Sequence, residues 1–192
     1  KNNFITFGSF NNFLKISDDV VNVWSTILKK IKNSQLILKS SYKYDSSSIL
    51  RKFEKNGVTD SIKILDRANY PDIKDHLNLY NSIDISLDTF PYNGVTTSFE
   101  SLWAGVPVMS LRGFNFNSRC GESILINGDL NFFLATNNDE YIKKCILLSK
   151  NIEKLELERD KLFKNILNTP LFDAKQFAND FKETLLSVYK KN

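Results

Sequence analysis

The sequence contains few residues of the kinds that build disulfide or metal sites. Among its 192 residues there are two cysteines, Cys120 and Cys145, and one histidine, His76. The two cysteines are far apart in the chain and lack the spacing of zinc ligands, so the sequence favours reduced thiols over a disulfide scaffold. We therefore expect no metal site in this chain.

Long apolar runs and blocks of like charge are also missing. No stretch approaches the roughly 20 apolar residues that cross a bilayer, and the opening KNNFITFGSF lacks the charged, apolar and small-residue zones of a signal peptide. The 26 Lys and Arg residues exceed the 22 Asp and Glu residues, but no run of five or more like charges occurs, which disfavours nucleic-acid binding. We expect a cytoplasmic protein without a membrane span.

The chain does contain a regular alternation of short apolar segments and helical repeats. Its length and its 42% of hydrophobic residues predict a single domain over residues 1–192, with a fold core at about 4–150 and a helical tail at about 151–190. The alternation predicts an α/β fold: a doubly wound, mostly parallel Rossmann-like sheet with helices on both faces. Strands are predicted at 4–8, 35–40, 61–67, 82–88 and 106–111, a short apolar segment at 132–135, and helices at 17–31, 46–57, 71–80, 96–104, 117–127, 138–149, 153–168 and 174–190.

Three loops follow the carboxyl ends of these strands, at 10–17, 67–71 and 88–97, where open parallel sheets bind their ligands. The third loop lies within LDTFPYNGVTTSFESLWAGVPVM and ends with Gly94, Thr96 and Thr97 at the start of a helix. Unpaired amides and a partial positive charge attract phosphate there, although Thr is also an ordinary N-cap and Gly an ordinary turn residue. Glu100, one turn further on, either accepts hydrogen bonds from a ribose diol or complements the helix dipole.

Two more candidate residues belong to the same edge of the predicted sheet. Lys15, in the first loop beside Asn11 and Asn12, either neutralises phosphate charge or is a solvated surface lysine. His76 lies a few residues into the helix after the third strand, and a lone histidine is more often structural. No acid partner near it in sequence suggests a catalytic triad.

Asp88, at the end of the fourth strand, suggests a different class of protein, a response-receiver module that accepts phosphate on an aspartate. Such modules need an acidic cluster after the first strand to hold magnesium. The segment FGSFNN, which spans the end of the first strand and the start of the loop after it, has no carboxylate. A third interpretation is a binding-only module that retains the fold without turnover.

Four blocks of the sequence resemble one enzyme family in the same order and with suitable spacing. They are FGSFNNFLKISDDVVNVWSTILKKIKNSQLIL, DISLDTFPYNGVTTSFESLWAGVPVMSL, SRCGESIL and NTPLFDAKQF. Together they resemble the C-terminal catalytic half of glycosyltransferase family 41, the O-linked N-acetylglucosamine transferases and their SPINDLY-like bacterial relatives. The resemblance implies a GT-B architecture, in which two Rossmann-like domains face each other across a cleft and this chain supplies the nucleotide-sugar side.

The resemblance also implies roles for individual residues. Lys15 is expected to be catalytic, as the family's first-loop lysine on the nucleotide diphosphate, whereas Lys39 and Lys43, after the second strand, have no matching role. Animal members of the family have Gln at the position of Asn12, His at Val95 and Asp at Glu100, and they differ over 67–71, where they bind uracil. The expected nucleotide-sugar-binding residues are Asn12, Lys15, His76, Asn93, Gly94, Thr96, Thr97 and Glu100, with the threonine hydroxyls on the phosphates and Glu100 on the ribose.

The activity implied by the resemblance is an inverting, metal-independent transfer of N-acetylglucosamine from UDP-N-acetylglucosamine to Ser or Thr hydroxyls of a protein, with no cofactor. UDP-glucose and GDP-fucose are alternative donors. Contacts to the protein acceptor are expected from an N-terminal catalytic half and from tetratricopeptide repeats upstream of this chain, because a strand at the very start implies a truncated beginning. We expect the chain alone to be inactive.

Overall fold

Six parallel strands form the sheet in the order β3-β2-β1-β4-β5-β6. The computed structural model describes residues 4–39 and 46–190, apart from the side chain of Lys154. This strand order is that of the Rossmann fold, so the predicted doubly wound α/β class is confirmed. The strands are β1 (Thr6–Ser9), β2 (Gln35–Lys39), β3 (Ile62–Leu65), β4 (Ile85–Leu87), β5 (Val108–Leu111) and β6 (Leu134–Ala135).

Eight α-helices connect and follow the strands in the described residues. Each corresponds to a predicted helix, and short 3-10 turns lie between several of them. The helices are α1 (Asp18–Lys30), α2 (Ser46–Glu54), α3 (Ile73–Asn78), α4 (Thr96–Trp103), α5 (Cys120–Asn127), α6 (Asn138–Ser149), α7 (Ile152–Asn165) and α8 (Ala174–Tyr189). In the part of the chain that the structure describes, none of these helices combines the length and apolar character that a bilayer crossing requires.

Several element boundaries differ from the predicted ones for local reasons. The first strand begins two residues later than predicted and continues past Gly8 to Ser9. Position 8 requires glycine because a Cβ there would come within 2.6 Å of the Ile83 side chain. The third helix begins at Ile73 rather than at Pro71, because Asp72 is its N-cap and its side chain accepts a hydrogen bond from the amide of Asp75. Ser40, the last residue of the predicted second strand, lies outside the described residues.

The sheet is covered on both faces because its strands are apolar at successive positions. Leu36 and Leu38 of β2 pack on one face with Trp24 of α1, whereas Ile37 belongs to the cluster on the other face with Tyr80. Alternation of side chains along a strand produces this division, and it buries both sides of the central strands, as expected for a parallel sheet.

The predicted helical tail consists of two helices with different surroundings. Leu162 of α7 is 8% exposed and packs with Leu102 and Val108, and the guanidinium of Arg159 donates a hydrogen bond to the carbonyl of Gly105 at 3.2 Å. Every residue of α8, in contrast, is exposed. Its apolar side chains share one helical face at a spacing of three or four residues: Phe177, Phe181, Leu185 and Val188.

We predict that truncation in α7 destabilises the fold and that truncation in α8 does not. Leu162→Ala removes a buried side chain and is expected to lower the free energy of unfolding by about 2 to 5 kcal/mol. Phe181→Ala, the control on the exposed helix, is expected to change it by less than about 0.5 kcal/mol. Urea unfolding of both variants measures the difference, and equal losses would contradict the distinction between the two helices.

Candidate functional site

A cavity of about 520 Å³ opens at the carboxyl ends of the strands, within the size range of small-molecule sites. The loops after β1, β3 and β4 contribute to it, together with Lys39 at the end of β2. Its charged lining groups are three cationic side chains and two carboxylates. The residues that line it are Phe10, Asn11, Asn12, Lys15, Lys39, Arg67, Tyr70, Pro71, Asp72, Ile73, His76, Tyr92, Val95, Thr96, Thr97 and Glu100.

Lys15 is held in place rather than solvated as a surface lysine. It ends a 3-10 turn in which the Asn12 side chain accepts a hydrogen bond from the amide of Leu14 at 3.0 Å. Its ammonium donates to the carbonyl oxygen of Asn93 at 3.0 Å and lies 4.2 Å from the centre of the Tyr92 ring. Burial lowers the pKa of Lys15, and the nearby Asp88 opposes that shift.

The loop that meets Lys15 is organised by the buried carboxylate of Asp88. One carboxylate oxygen accepts hydrogen bonds from the amides of Gly94 at 2.6 Å and Thr89 at 2.9 Å, and the other accepts from the hydroxyl of Ser110 at 2.6 Å. Burial raises the pKa of Asp88 to about 6, and these donors together with Lys15 oppose the rise. Because the carboxylate is 1% exposed, it is closed to a phosphate donor, and the response-receiver interpretation is wrong.

Helix α4 begins at the cavity without a capping side chain. Its N-cap residue, Val95, makes no side-chain hydrogen bond to the first turn, so the first amides of α4 are available to a ligand. The hydroxyl of Thr97 donates to the side-chain oxygen of Asn11 at 3.0 Å. A Cβ on Gly94 would come within 2.5 Å of that hydroxyl, so this close approach requires glycine.

On the other side of the cavity, His76 and Glu100 are linked by a hydrogen bond of 3.1 Å between Nε2 and Oε2. Tyr80 donates its hydroxyl to the same carboxylate oxygen at 3.2 Å, and burial, together with the Glu100 carboxylate, raises the pKa of Tyr80. The expectation that His76 has no acid partner was based on sequence neighbours. The fold supplies Glu100 from a different helix.

Lys39 was expected to have no role, but the structure places it in the lining of the cavity. Its ammonium lies 2.9 Å from Nδ1 of His76 and 5.4 Å from the centre of the Tyr70 ring. The residue is 5% exposed. It ends β2, a strand inside the sheet, and lines the cavity. Lys43, the other lysine without an expected role, lies outside the described residues.

Six of the eight predicted binding residues line the one cavity, and two lie behind it. Asn93 is fully buried: its amide group donates to the carbonyl of Thr89 at 2.9 Å, and its side-chain oxygen accepts from the amide of Gly121 at 3.2 Å. Asn93 therefore acts on the cavity through its backbone carbonyl, which holds Lys15, and Gly94 acts through its small size. The six that line the cavity are Asn12, Lys15, His76, Thr96, Thr97 and Glu100.

Sequence reasoning missed three residues of this site. Tyr92 follows a predicted strand and has an aromatic ring in a ligand loop, which was a usable signal. Lys39 ends a predicted strand at the ligand edge, which was also a signal. Asp88 was considered only as a phosphate acceptor, and its structural role depends on Ser110, which is distant in sequence.

A model of one protein family matches almost the whole chain. The family is described as Glycosyl transferase family 41, and residues 1–181 match it. The match covers every strand of the sheet and every residue that lines the cavity.

Individual relatives agree with this family. A probable UDP-N-acetylglucosamine–peptide N-acetylglucosaminyltransferase SPINDLY from Eustoma exaltatum subsp. russellianum is 35% identical over 99% of this chain, which spans 21% of that protein. A mutant O-GlcNAc transferase of Thermobaculum terrenum superposes with a TM-score of 0.84 at 30% identity, over 99% of this chain and 36% of that one. WaaG, a glycosyltransferase involved in lipopolysaccharide biosynthesis, shares the fold alone: its TM-score is 0.65 at 12% identity, over 94% of this chain and 47% of that one.

We predict that Asp88 makes the stability of the fold depend on pH. The pKa of Asp88 is about 6 when folded and has an ordinary value of 3.8; between these values the folded chain binds more protons than the unfolded chain. The contribution of Asp88 to stability therefore falls as the pH rises from about 4 to about 6 and is constant above that.

Asp88→Asn removes this titration while keeping an oxygen for Gly94 and Thr89 and an amide donor for Ser110. The free energy of unfolding of the variant, minus that of the wild type, is expected to increase by about 1 to 3 kcal/mol as the pH rises from about 4 to about 6. Urea unfolding of both proteins at a series of pH values measures it. A difference that does not change between pH 4 and pH 6 would show that Asp88 does not titrate there.

Proposed function

Because the chain belongs to glycosyltransferase family 41, we propose that it is the nucleotide-sugar-binding domain of an inverting protein O-glycosyltransferase. The proposed donor is UDP-N-acetylglucosamine and the proposed acceptors are Ser and Thr hydroxyls of proteins. One observation supports this most strongly: the same cavity is lined by the half-buried Lys15, by the uncapped first turn of α4 and, on the opposite side, by the carboxylate of Glu100. These three features suit a diphosphate joined to a ribose.

The diphosphate is proposed to lie between Lys15 and the first turn of α4. The ammonium of Lys15 and the amides and hydroxyls of Thr96 and Thr97 are groups that favour negative charge. Glu100 is proposed to accept hydrogen bonds from the ribose hydroxyls, since a carboxylate is an acceptor only. The base then extends toward Tyr70 and Arg67, at the end of the cavity formed by the loop after β3.

The proposed reaction needs stabilisation of a leaving diphosphate. The acceptor hydroxyl attacks the anomeric carbon, the bond from that carbon to the diphosphate oxygen breaks, and negative charge grows on the diphosphate. Lys15 is proposed to stabilise that charge, with no metal ion and no other cofactor required. The carbonyl of Asn93 and the ring of Tyr92 direct its ammonium.

The acceptor side of the reaction is proposed to lie in other parts of a longer protein. The chain spans about a fifth of the length of the SPINDLY relative, and a GT-B enzyme binds its substrates between two domains. We therefore propose that the isolated chain binds the donor nucleotide and transfers no sugar, because positioning two reactants contributes much of the rate.

We predict that the isolated chain binds UDP more tightly than GDP or ADP. Titration calorimetry with the three nucleotides in the same buffer measures this. A preference for GDP would change the donor to a GDP-sugar such as GDP-fucose. Binding of none of them would contradict a nucleotide-sugar site and support a module that has lost it.

We also predict that Lys15→Ala, in an enzyme that contains this chain with the rest of its catalytic region, lowers turnover about a hundredfold or more. That is the scale for losing one preorganised stabilising group. The Michaelis constant is expected to change less, because the contact strengthens as the diphosphate leaves. Loss of the Asn93 contact is expected to lower stability by about 1 kcal/mol.

The matched control is Lys63→Ala, which removes an exposed lysine of β3. Lys39 is unsuitable as a control because it lines the cavity. Steady-state kinetics of both variants test the assignment. Wild-type kinetics in Lys15→Ala would show that Lys15 has no role in the reaction, and a rise in the Michaelis constant alone would make it a binding residue without a role in catalysis.

A further inference from the structure

Lys39 is a buried cation for which neither the family resemblance nor the proposed reaction supplies a role. It is 5% exposed, and burial together with Arg67 lowers its pKa, while Glu100 and Asp75 favour its charged form. A buried ammonium costs free energy unless it is paired or hydrogen-bonded. Its hydrogen-bond partner among the described residues is Nδ1 of His76, at 2.9 Å.

The contact determines which ring nitrogen of His76 carries the proton. An ammonium group only donates hydrogen bonds, so Nδ1 must accept, and the proton of the neutral imidazole is then on Nε2. Nε2 donates in turn to Oε2 of Glu100 at 3.1 Å. The rings of Phe10 and Tyr80, with centroids 5.9 and 5.8 Å from that of His76, hold the imidazole in its plane but do not choose its tautomer.

The same chain of contacts orients the carboxylate of Glu100. Its Oε2 oxygen accepts from both His76 and Tyr80. Within residues 4–39 and 46–190, Oε1 makes no hydrogen bond and belongs to a residue that lines the cavity. A ligand hydroxyl therefore meets an oxygen whose direction is fixed by the other end of the carboxylate.

We infer that Lys39 is a positioning residue of the donor site, which fixes the tautomer of His76 and thereby holds Glu100 toward the ribose hydroxyls of the nucleotide. The inference rests on the proposed function, because it takes the ribose to be the ligand of Glu100. It makes a specific claim about which part of the nucleotide Lys39 serves: the ribose diol, through two other side chains, and not the diphosphate by direct contact.

The ligand side of the test compares two nucleotides on Lys39→Met, which keeps the length and apolar stem of the side chain. The ligands are whichever of UDP and GDP the wild type binds more tightly and the 2′,3′-dideoxy analogue of that nucleotide. Lys39→Met is expected to weaken binding of the natural nucleotide about tenfold, the scale of one charge-assisted hydrogen bond. Binding of the dideoxy analogue is expected to change less than about twofold, and Lys63→Met, the matched exposed control, is expected to leave both unchanged.

Equal losses for the two nucleotides would mean that Lys39 contacts the phosphates or supports the fold, and would overturn the inference while leaving the proposed function intact. No loss for either would overturn it in the same way. If the wild-type chain binds neither UDP nor GDP, the proposed function fails and the inference fails with it.

A second test depends on His76 rather than on the ligand. In a His76→Phe background, adding Lys39→Met is expected to cause no further loss of nucleotide affinity, because Lys39 acts through His76. Additive losses would overturn the inference. Since His76 is the only histidine in the sequence, its ring nitrogens also give an unambiguous ¹⁵N NMR spectrum. Lys39→Met is expected to shift the resonance of the unprotonated nitrogen, and an unchanged resonance would exclude the contact with Lys39.

Discussion

The loop that holds Lys15 at the cavity depends on a single buried carboxylate. Asp88 lies at the end of β4, where its amide donates to the carbonyl of Met109 and its side chain accepts hydrogen bonds from the loop and from Ser110. Gly94 reaches this position because the loop bends back onto Asp88. The direction of the Asn93 carbonyl, and with it the position of Lys15, follows from that bend.

This arrangement lowers the stability of the fold. Burying a carboxylate costs free energy even when every nearby donor points toward it, and the raised pKa of Asp88 reflects that cost. Its negative charge nevertheless favours the protonated state of Lys15, whose own burial has the opposite effect. A buried acid and a half-buried base thus keep a cation beside the proposed diphosphate.

Local patterns predicted the order and type of the strands and helices, because a strand or an amphipathic helix is determined largely by neighbouring residues. The predicted helix at 17–31 begins at Ser17, and in the structure the hydroxyl of Ser17 caps α1 by accepting a hydrogen bond from the amide of Val20. The contacts of Lys39 were not predictable in this way. Its partner His76 lies on a helix beyond the next strand, and no local pattern specifies that distance. The helical tail could not be resolved from local patterns either, because α7 and α8 are both amphipathic. Only the packing of the whole fold shows that α7 contacts the core and that α8 is exposed.

The position of the cavity has a thermodynamic consequence. The loops after β1 and β3, with Lys39 at the end of β2, form one part of its lining, and the loop after β4 forms another. An occupant would therefore touch both halves of the sheet across the β1–β4 junction. The two halves of the sheet could then separate only after the occupant is released. A bound ligand would therefore oppose global unfolding of the chain rather than local opening of one loop. At a concentration a hundred times its dissociation constant, such a ligand adds about 2.7 kcal/mol to the stability of the folded chain. Amides in the central strands, far from the ligand itself, would then exchange their hydrogens about a hundredfold more slowly where they exchange through global unfolding.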